Sequence, residues 1–175
     1  MELDSLYISI RIEKSRLNEF FSFKPISPNK DDNWSQWWES RQMYSKTTLE
    51  IIPSYSQARI REVFDNLLKD RFYGAKEYYD EEKQHWTFAV LNFSENYLEI
   101  LPMLALLKQL EGYVLEGYAL IFDWMWGGDT VMAYVDFTAG SALLETVTES
   151  YAVELKRFEE ANQGLQSLAE ELGAG

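Results

Sequence analysis

The amino-acid sequence predicts a single α+β domain over residues 1–175. We expect a mostly antiparallel or mixed sheet of about five to six strands, helices packed on one face, and a long C-terminal helix. Segments with alternating apolar residues and segments with an apolar residue every three or four positions follow one another along the chain. No linker rich in Pro, Gly or Ser divides the 175 residues, which are enough for one hydrophobic core.

A strand and a short helix are predicted at the start of the chain. Apolar and polar residues alternate along the strand, so one face is expected to be buried and the polar face to meet solvent. The apolar residues are Leu6, Ile8, Ile10 and Ile12. Ser15 can cap a following helix that stops before Pro25. That helix would bury Leu17, Phe20 and Phe21.

A Trp-rich insertion is predicted over residues 29–45. On a helix capped by Asn33, the spacing of Trp34, Trp37 and Trp38 places all three indoles on one side. Core packing is the commoner outcome for such a cluster. Tryptophan is also enriched at the centres of protein interfaces. Both interpretations stay open, and the three residues are candidate partner contacts.

The middle of the chain is predicted to contain a strand, a helix and a hairpin. The strand covers residues 46–52 and ends at a proline, and the helix covers residues 57–73 and is closed by Gly74. Strands over residues 75–79 and 85–93 flank an acidic turn, which is typical of a hairpin.

A further helix is predicted to end at Gly112. It begins at Ser94 or Asn96 and kinks at Pro102, or it begins at Pro102 itself, where a missing backbone N–H has no consequence.

The clearest predicted hairpin turns at Gly127 and Gly128, a pair that accepts the positive φ of a type I′ turn. Its first strand covers residues 118–126, and its second begins at Thr130 or Val131 and ends at Phe137. With a two-residue turn, alternation assigns one face to the core: Tyr118, Leu120, Phe122, Trp124, Trp126, Val131, Ala133, Val135 and Phe137. The other face carries Asp123, Met132, Tyr134 and Asp136, with Asp129 beside the turn. Such a mixture of carboxylate, thioether and aromatic groups suits a surface that contacts another molecule.

A helical segment is predicted over residues 141–172, as one helix or as two that meet near Gly164. Its apolar residues are Leu144, Val147, Tyr151, Leu155, Phe158, Leu165, Leu168 and Leu172. A stripe with this spacing packs on its own sheet or joins two copies of the chain in a homodimer.

The negative charge lies almost entirely in the second half of the chain. The formal net charge is −13. Residues 1–80 carry 12 Lys or Arg and 13 Asp or Glu, whereas residues 81–175 carry 4 and 16. The second half therefore presents a field of one sign, which favours solubility or a basic partner.

Composition excludes several kinds of site. Without cysteine there is no disulfide, thiolate zinc site or cysteine nucleophile, and a single histidine cannot form a multi-histidine zinc site. Phosphate-binding glycine motifs are absent, and the scarcity of Lys and Arg in the second half disfavours nucleic acid. We expect no cofactor, no metal and no nucleic-acid partner.

Neither a membrane nor a secretory location is indicated. The longest apolar run is too short to span a bilayer, and the chain starts with acidic residues where a signal peptide needs basic ones. We therefore expect a cytoplasmic protein without a membrane partner.

His85 is the one imidazole available for acid–base chemistry. It could act as a general base oriented by Glu81 or Glu82, or it could be an edge-strand histidine that is hydrogen-bonded or solvated. No Ser or Lys nearby in the sequence forms a recognisable nucleophile arrangement with it.

The run Gly127-Gly128-Asp129 resembles the signature loop of the nucleotide cyclases that make cyclic dinucleotides, whose palm-like domain is also α+β. In that family an acidic and a bulky aromatic residue follow, whereas Thr130 and Val131 follow here, and the first strand lacks the metal-binding Asp expected at its end. The resemblance implies a metal-dependent, nucleotide-handling enzyme that uses Asp129. The alternative is ordinary Gly-Gly turn chemistry without catalysis.

The overall profile resembles the immunity proteins of bacterial polymorphic-toxin and contact-dependent inhibition systems, which are small, acidic and cytoplasmic. This class resemblance implies a non-enzymatic protein that binds a basic toxin domain and occludes its active site. The candidate contacts are Asp123, Asp129, Met132, Tyr134 and Asp136, with Trp34, Trp37 and Trp38 as a second region. A phage-type nucleic-acid mimic, with carboxylates spaced like phosphates, is the alternative among binding proteins.

Overall fold

A computed structural model describes residues 2–43 and 46–174. Residues 1, 44, 45 and 175, which belong to the predicted domain and in part to the predicted insertion, lie outside the described residues. The described chain is an α+β domain with one six-stranded sheet in the order β2-β3-β1-β4-β5-β6, and all neighbouring strands are antiparallel.

The strands are β1 Asp4–Arg11, β2 Ala75–Asp80, β3 His85–Ser94, β4 Glu116–Phe122, β5 Val131–Thr138 and β6 Ser141–Leu144. The helices are α1 Lys14–Ser22, α2 Asp32–Ser40, α3 Ile60–Lys69, α4 Tyr97–Lys108 and α5 Leu155–Ala174. Short 3₁₀ turns cover Trp124–Trp126 and Ser150–Ala152. None of the helices in the described part of the chain is both long and apolar enough to cross a bilayer.

Helices cover both faces of the sheet. The buried residues of α1 to α4 pack with Leu6, Ile8 and Ile10 of β1 on one face, as predicted. On the other face α5 packs against Tyr7 of β1, and Ser9 is also buried. The expectation that the helices share one face and that the polar face of β1 meets solvent is therefore wrong for α5, because this helix covers that face.

Gly164 lets α5 approach the sheet closely. A Cβ added there would overlap the ring of Tyr7 and would lie 2.8 Å from its Cζ. The helix runs without a break through this position. Gly164, predicted as a weak point of the helix, is instead a position where α5 lies directly against Tyr7 of the sheet.

We expect Gly164→Ala to lower the free energy of unfolding by about 1–2 kcal/mol, because the overlap with Tyr7 outweighs the better helix propensity of Ala. Urea unfolding followed by circular dichroism measures this. Gly173→Ala in the same helix is the matched control, since a Cβ there meets nothing within 4 Å. Equal free energies of unfolding of the two variants would contradict a close contact between Gly164 and Tyr7.

The boundaries of several helices follow local signals. The side chain of Asn96 accepts a hydrogen bond from the N–H of Leu98 at 2.9 Å, so α4 begins as predicted, and it continues through Pro102. Asp31 caps α2, where Asn33 was expected. Helix α3 is shorter than predicted because the chain turns after Lys69, and this turn leaves Phe72 exposed.

The strand predicted over residues 46–52 is wrong, since this segment has no regular structure in its described part. Its backbone carbonyls accept hydrogen bonds from side chains and are not paired with another strand. The donors are Trp38 Nε1 to Thr47 at 2.9 Å, Lys30 Nζ to Leu49 at 2.9 Å, and Ser27 Oγ to Ile52. Leu49 and Ile52 are still buried, which explains the apolar pattern.

The helix predicted over residues 141–172 is correct only from residue 155 onwards. Residues 141–144 form β6 on the edge of the sheet, where Ala142 and Leu144 are buried and their neighbours are exposed. This alternation has a period of two, not of three or four. Thr146, Val147 and Thr148 are β-branched residues with low helix propensity, and they separate the strand from the helix.

The hairpin of β4 and β5 has a different register from the one predicted. Residues 123–130 form the connection, so the two-residue turn is wrong. Leu120 pairs with Tyr134, whereas a two-residue turn would pair it with Val135. A shift of one residue reverses the faces of a strand. Tyr134 and Asp136 therefore lie on the same face as Leu120, underneath α5.

Candidate protein-binding surface

The connection between β4 and β5 is held in one conformation by Asp123. Its backbone carbonyl accepts from the N–H groups of Trp126 at 2.8 Å and Gly128 at 3.0 Å. Its Oδ1 accepts from the N–H of Thr130 at 2.9 Å. Gly127 and Gly128 have φ values of 114° and 74°, so the predicted positive φ is confirmed within a longer loop.

A second set of hydrogen bonds fastens this loop to the segment before α5. The N–H of Ser150 donates to the carbonyl of Asp129 at 2.9 Å, and the N–H of Val131 donates to that of Thr148 at 3.0 Å. Ser150 Oγ donates to the carbonyl of Gly128. The loop and the 3₁₀ turn at residues 150–152 thus form one hydrogen-bonded unit.

Large apolar side chains are exposed on this unit. The exposed fractions are 41% for Met125, 49% for Trp126, 86% for Tyr151 and 69% for Leu155. A shallow cavity of about 460 Å³ lies between the loop and α5, and Trp124, Tyr151, Leu155 and Phe158 form its apolar walls. We call the exposed unit formed by residues 123–130 and 149–155 the Trp126–Tyr151 surface.

Acidic residues are interspersed with the apolar residues of this unit. Asp129, Glu149 and Glu154 are exposed, Asp129 also lines the cavity, and Glu154 forms an ion pair with Arg157 at 3.4 Å. No Lys, Arg or His lines the cavity among the described residues. The surface is therefore complementary to a partner that carries positive charge around an apolar contact.

Tyr134 and Asp136, predicted as partner contacts, instead hold α5 on the sheet. Arg157 of α5 donates to the hydroxyl of Tyr134 at 2.9 Å and to Asp136 Oδ1 at 2.7 Å. Burial alone would lower the pKa of Arg157, but its hydrogen bonds with Asp136 and Tyr134 hold it above its ordinary value. These two predicted contacts are corrected, because the register places them against α5.

The three tryptophans of α2 belong to the core. Trp34, Trp37 and Trp38 are all buried, and Trp37 makes edge-to-face contacts with Trp34 and Tyr97. The core interpretation is therefore the correct one, and the assignment of these residues as partner contacts is wrong. Aromatic pairs of this geometry stabilise the core beyond their buried area.

The remaining predicted residues divide between packing and surface. Met132 is half-buried on the face of the sheet that α1 to α4 cover, where the hydroxyl of Tyr97 donates to its Sδ at 3.6 Å. Asp123 shapes the loop, and Asp129 is exposed on it. Trp126 and Tyr151 were missed as surface residues, because the assumed turn placed Trp126 in the core and the assumed helix placed Tyr151 in its apolar stripe.

His85 lies on β3, an interior strand, so its prediction as an edge-strand residue is wrong. Its Nε2 is 2.8 Å from the Oγ of Ser9, a residue on β1 that is only 3% exposed. Ser9 and His85 both line a cavity of about 520 Å³ whose other walls include Arg157 and Glu160 of α5. The pair therefore joins two strands by a hydrogen bond.

Among residues 2–43 and 46–174, no group of three or more His, Cys, Asp or Glu side chains could hold a metal ion. Comparison of the chain with protein-family models, with curated proteins and with solved structures finds no match.

Proposed function

We propose that this chain is an acidic protein-binding domain that docks a basic partner on the Trp126–Tyr151 surface. The observation that carries the proposal is a set of exposed aromatic and aliphatic side chains on a hydrogen-bonded unit that also exposes Asp129 and Glu149. Trp, Tyr and Met are enriched at the centres of protein interfaces. A loop that is already ordered loses little conformational entropy on binding.

The charge distribution supports a basic partner. Between Gln84 and Leu155 the chain has ten acidic residues and a single basic one, Lys108. Lys108 donates to Asn33 Oδ1 at 2.9 Å and to the carbonyl of Ala142, at the far end of β6 from the loop. The field of this region would accelerate encounter with a cationic protein and would weaken as salt screens it.

The biological role that we infer is that of an immunity protein, which acts in the cytoplasm by covering the active site of a cognate basic toxin. The class resemblance of the sequence and the acidic, aromatic surface support this role together. A toxin that cleaves nucleic acid carries a basic substrate groove. The Trp126–Tyr151 surface would place carboxylates over such a groove and apolar side chains between them.

Affinity capture from the native host tests the proposal. We expect the wild-type chain to recover a basic protein, and Trp126→Ala and Tyr151→Ala each to reduce recovery at least tenfold, which is about 1.4 kcal/mol or more of binding energy. Tyr78→Ala is the matched control, because Tyr78 is 60% exposed but lies on the edge strand β2, three strands away from β4. Quantitative mass spectrometry measures recovery at low and physiological salt.

Activity of the captured protein provides the second measurement. The immunity role requires that the wild-type chain inhibit the captured protein and that Trp126→Ala inhibit it less. Recovery that is identical for all variants, or a partner that is acidic, would contradict the proposed surface. A captured basic protein that stays active in the complex would contradict the immunity role while leaving the binding surface intact.

A further inference from the structure

Strand β2 forms an open edge of the sheet. It lies at one end of the strand order, and among the described strands it pairs with β3 alone. Within the described part of the chain, no hydrogen bond reaches the backbone of residues 75–79 from the outer side of this strand. A free edge presents unpaired N–H and C=O groups to another extended segment.

The direction of these free groups follows from the ladder between β2 and β3. The N–H of Leu91 donates to the carbonyl of Gly74 at 3.1 Å, in the register that the rest of β2 keeps with β3. In an antiparallel ladder, alternate residues direct both backbone groups to the same neighbouring strand. The N–H and C=O groups of Ala75, Glu77 and Tyr79 therefore point away from the sheet.

The side chains between these residues lie on the face of the sheet that α5 covers. Lys76 forms an ion pair with Glu171 of α5 at 2.6 Å, and residues two positions apart on a strand share a face. Tyr78 and Asp80 are therefore on the same face as Lys76, and Tyr78 is 60% exposed. Along the open edge this face carries a positive, an aromatic and a negative side chain, in that order.

This order is complementary to itself when a second copy runs antiparallel. The free backbone groups meet only if odd-numbered residues lie opposite each other, so a two-fold axis has to pass through a residue of β2. An axis at Tyr78 places Lys76 of each copy opposite Asp80 of the other and sets the two Tyr78 rings side by side. Axes at the neighbouring residues oppose like charges, either Lys76 or Glu77 with its own copy or Glu77 with Glu81.

We propose that two copies of this chain associate through β2 about an axis at Tyr78, so that their two six-stranded sheets form one continuous antiparallel sheet. Each pair of Glu77 with Tyr79 of the other copy exchanges two backbone hydrogen bonds. At physiological ionic strength the Debye length is about 8 Å, so the net charge of −13 on each copy is largely screened.

The association is independent of the protein-binding proposal. The Trp126–Tyr151 surface begins at the end of β4, three strands away from β2. Edge-to-edge pairing therefore leaves this surface accessible on both copies.

Sedimentation equilibrium of the full chain at physiological ionic strength measures the association. We expect a monomer–dimer equilibrium that Lys76→Glu weakens at least tenfold, because this change opposes like charges at two symmetric places. Glu171→Gln removes the same ion pair within the chain but keeps Lys76 positive, so its dimer should be at least as stable as that of wild type. Lys156→Glu, at an exposed residue near the other end of α5, has the same charge change and should dimerise like wild type.

Disulfide cross-linking tests the position of the axis, since the chain has no cysteine of its own. Opposite residues in a non-hydrogen-bonded pair have Cα atoms about 4.5 Å apart, so mild oxidation should join two copies of Tyr78→Cys. Lys83→Cys, at an exposed residue five positions from the axis, should stay uncross-linked on a denaturing gel.

Three results would overturn the proposal. The first is a wild-type chain that stays monomeric at millimolar concentration, which would leave the edge to a segment of another protein. The second is a dimer that Lys76→Glu does not weaken, and the third is equal cross-linking of Tyr78→Cys and Lys83→Cys, which would indicate random collision.

Discussion

Replacing Arg41 with Met is expected to lower the free energy of unfolding by about 3–5 kcal/mol. Arg41 is only 3% exposed, and its guanidinium donates to the carbonyls of Val131 at 3.1 Å, Met132 at 2.9 Å and Val147 at 2.7 Å. Met fills a similar volume but donates nothing, so three carbonyls lose their partner. Burial lowers the pKa of Arg41, and the positive end of the side chain is stabilised in part by the ring of Trp37, 5.5 Å away.

The measurement is urea unfolding followed by circular dichroism. Arg71→Met is the control, because Arg71 is exposed in the turn after α3. Val131 and Val147 adjoin the residues that fasten the Trp126–Tyr151 surface, so Arg41→Met should also increase amide hydrogen exchange at Thr148 and Ser150. A loss of stability no larger than that of Arg71→Met would show that Arg41 does not hold these carbonyls.

Asp4→Asn is expected to stabilise the protein at neutral and alkaline pH. Burial, followed by the nearby carboxylates of Asp123, Glu95 and Glu2, raises the pKa of Asp4 from its ordinary value of 3.8 to about 7. The folded state therefore holds a proton that the unfolded state releases. Its contribution to stability is fully present below pH 3.8, declines as the pH rises from 3.8 to about 7, and is absent above pH 7.

Asn carries no charge at any of these pH values, so the difference between variant and wild type isolates this titration. Near pH 4 we expect this titration to cause no difference in the free energy of unfolding. At pH 8 we expect the free energy of unfolding of Asp4→Asn to exceed that of wild type by up to about 4 kcal/mol. Glu159→Gln, at an exposed acid of α5, controls for the loss of one negative charge. A difference between Asp4→Asn and wild type that does not change with pH would contradict the raised pKa.

The parts of the fold that the sequence predicts well are those that local contacts determine. Helix α1 buries Leu17, Phe20 and Phe21 as expected, and the hairpin of β2 and β3 has the predicted strands and acidic turn. The cap at Asn96 is also a local signal. In each case neighbouring residues specify the element, and no distant segment has to be known.

The parts that were missed depend on distant contacts. The register of β4 and β5 follows from a loop that residues 148–150 hold in place, and β6 exists because it pairs with β5. The negative charge of the candidate site, including the place of Asp129 beside the turn, could be predicted from composition and position. The exposure of Trp126 and Tyr151 could not be predicted, because the face that a side chain occupies changes with a register shift of one residue.

Asn33 has a consequence for how other chains can approach this sheet. Its side-chain amide donates to the carbonyl of Leu144 at 2.9 Å and accepts from the N–H of Leu144 at 2.9 Å. The amide thereby imitates the backbone of a seventh strand beside β6 and occupies hydrogen-bonding groups that an edge strand normally leaves open. Strand addition at this edge is blocked, both as a mode of partner recognition and as a route to aggregation.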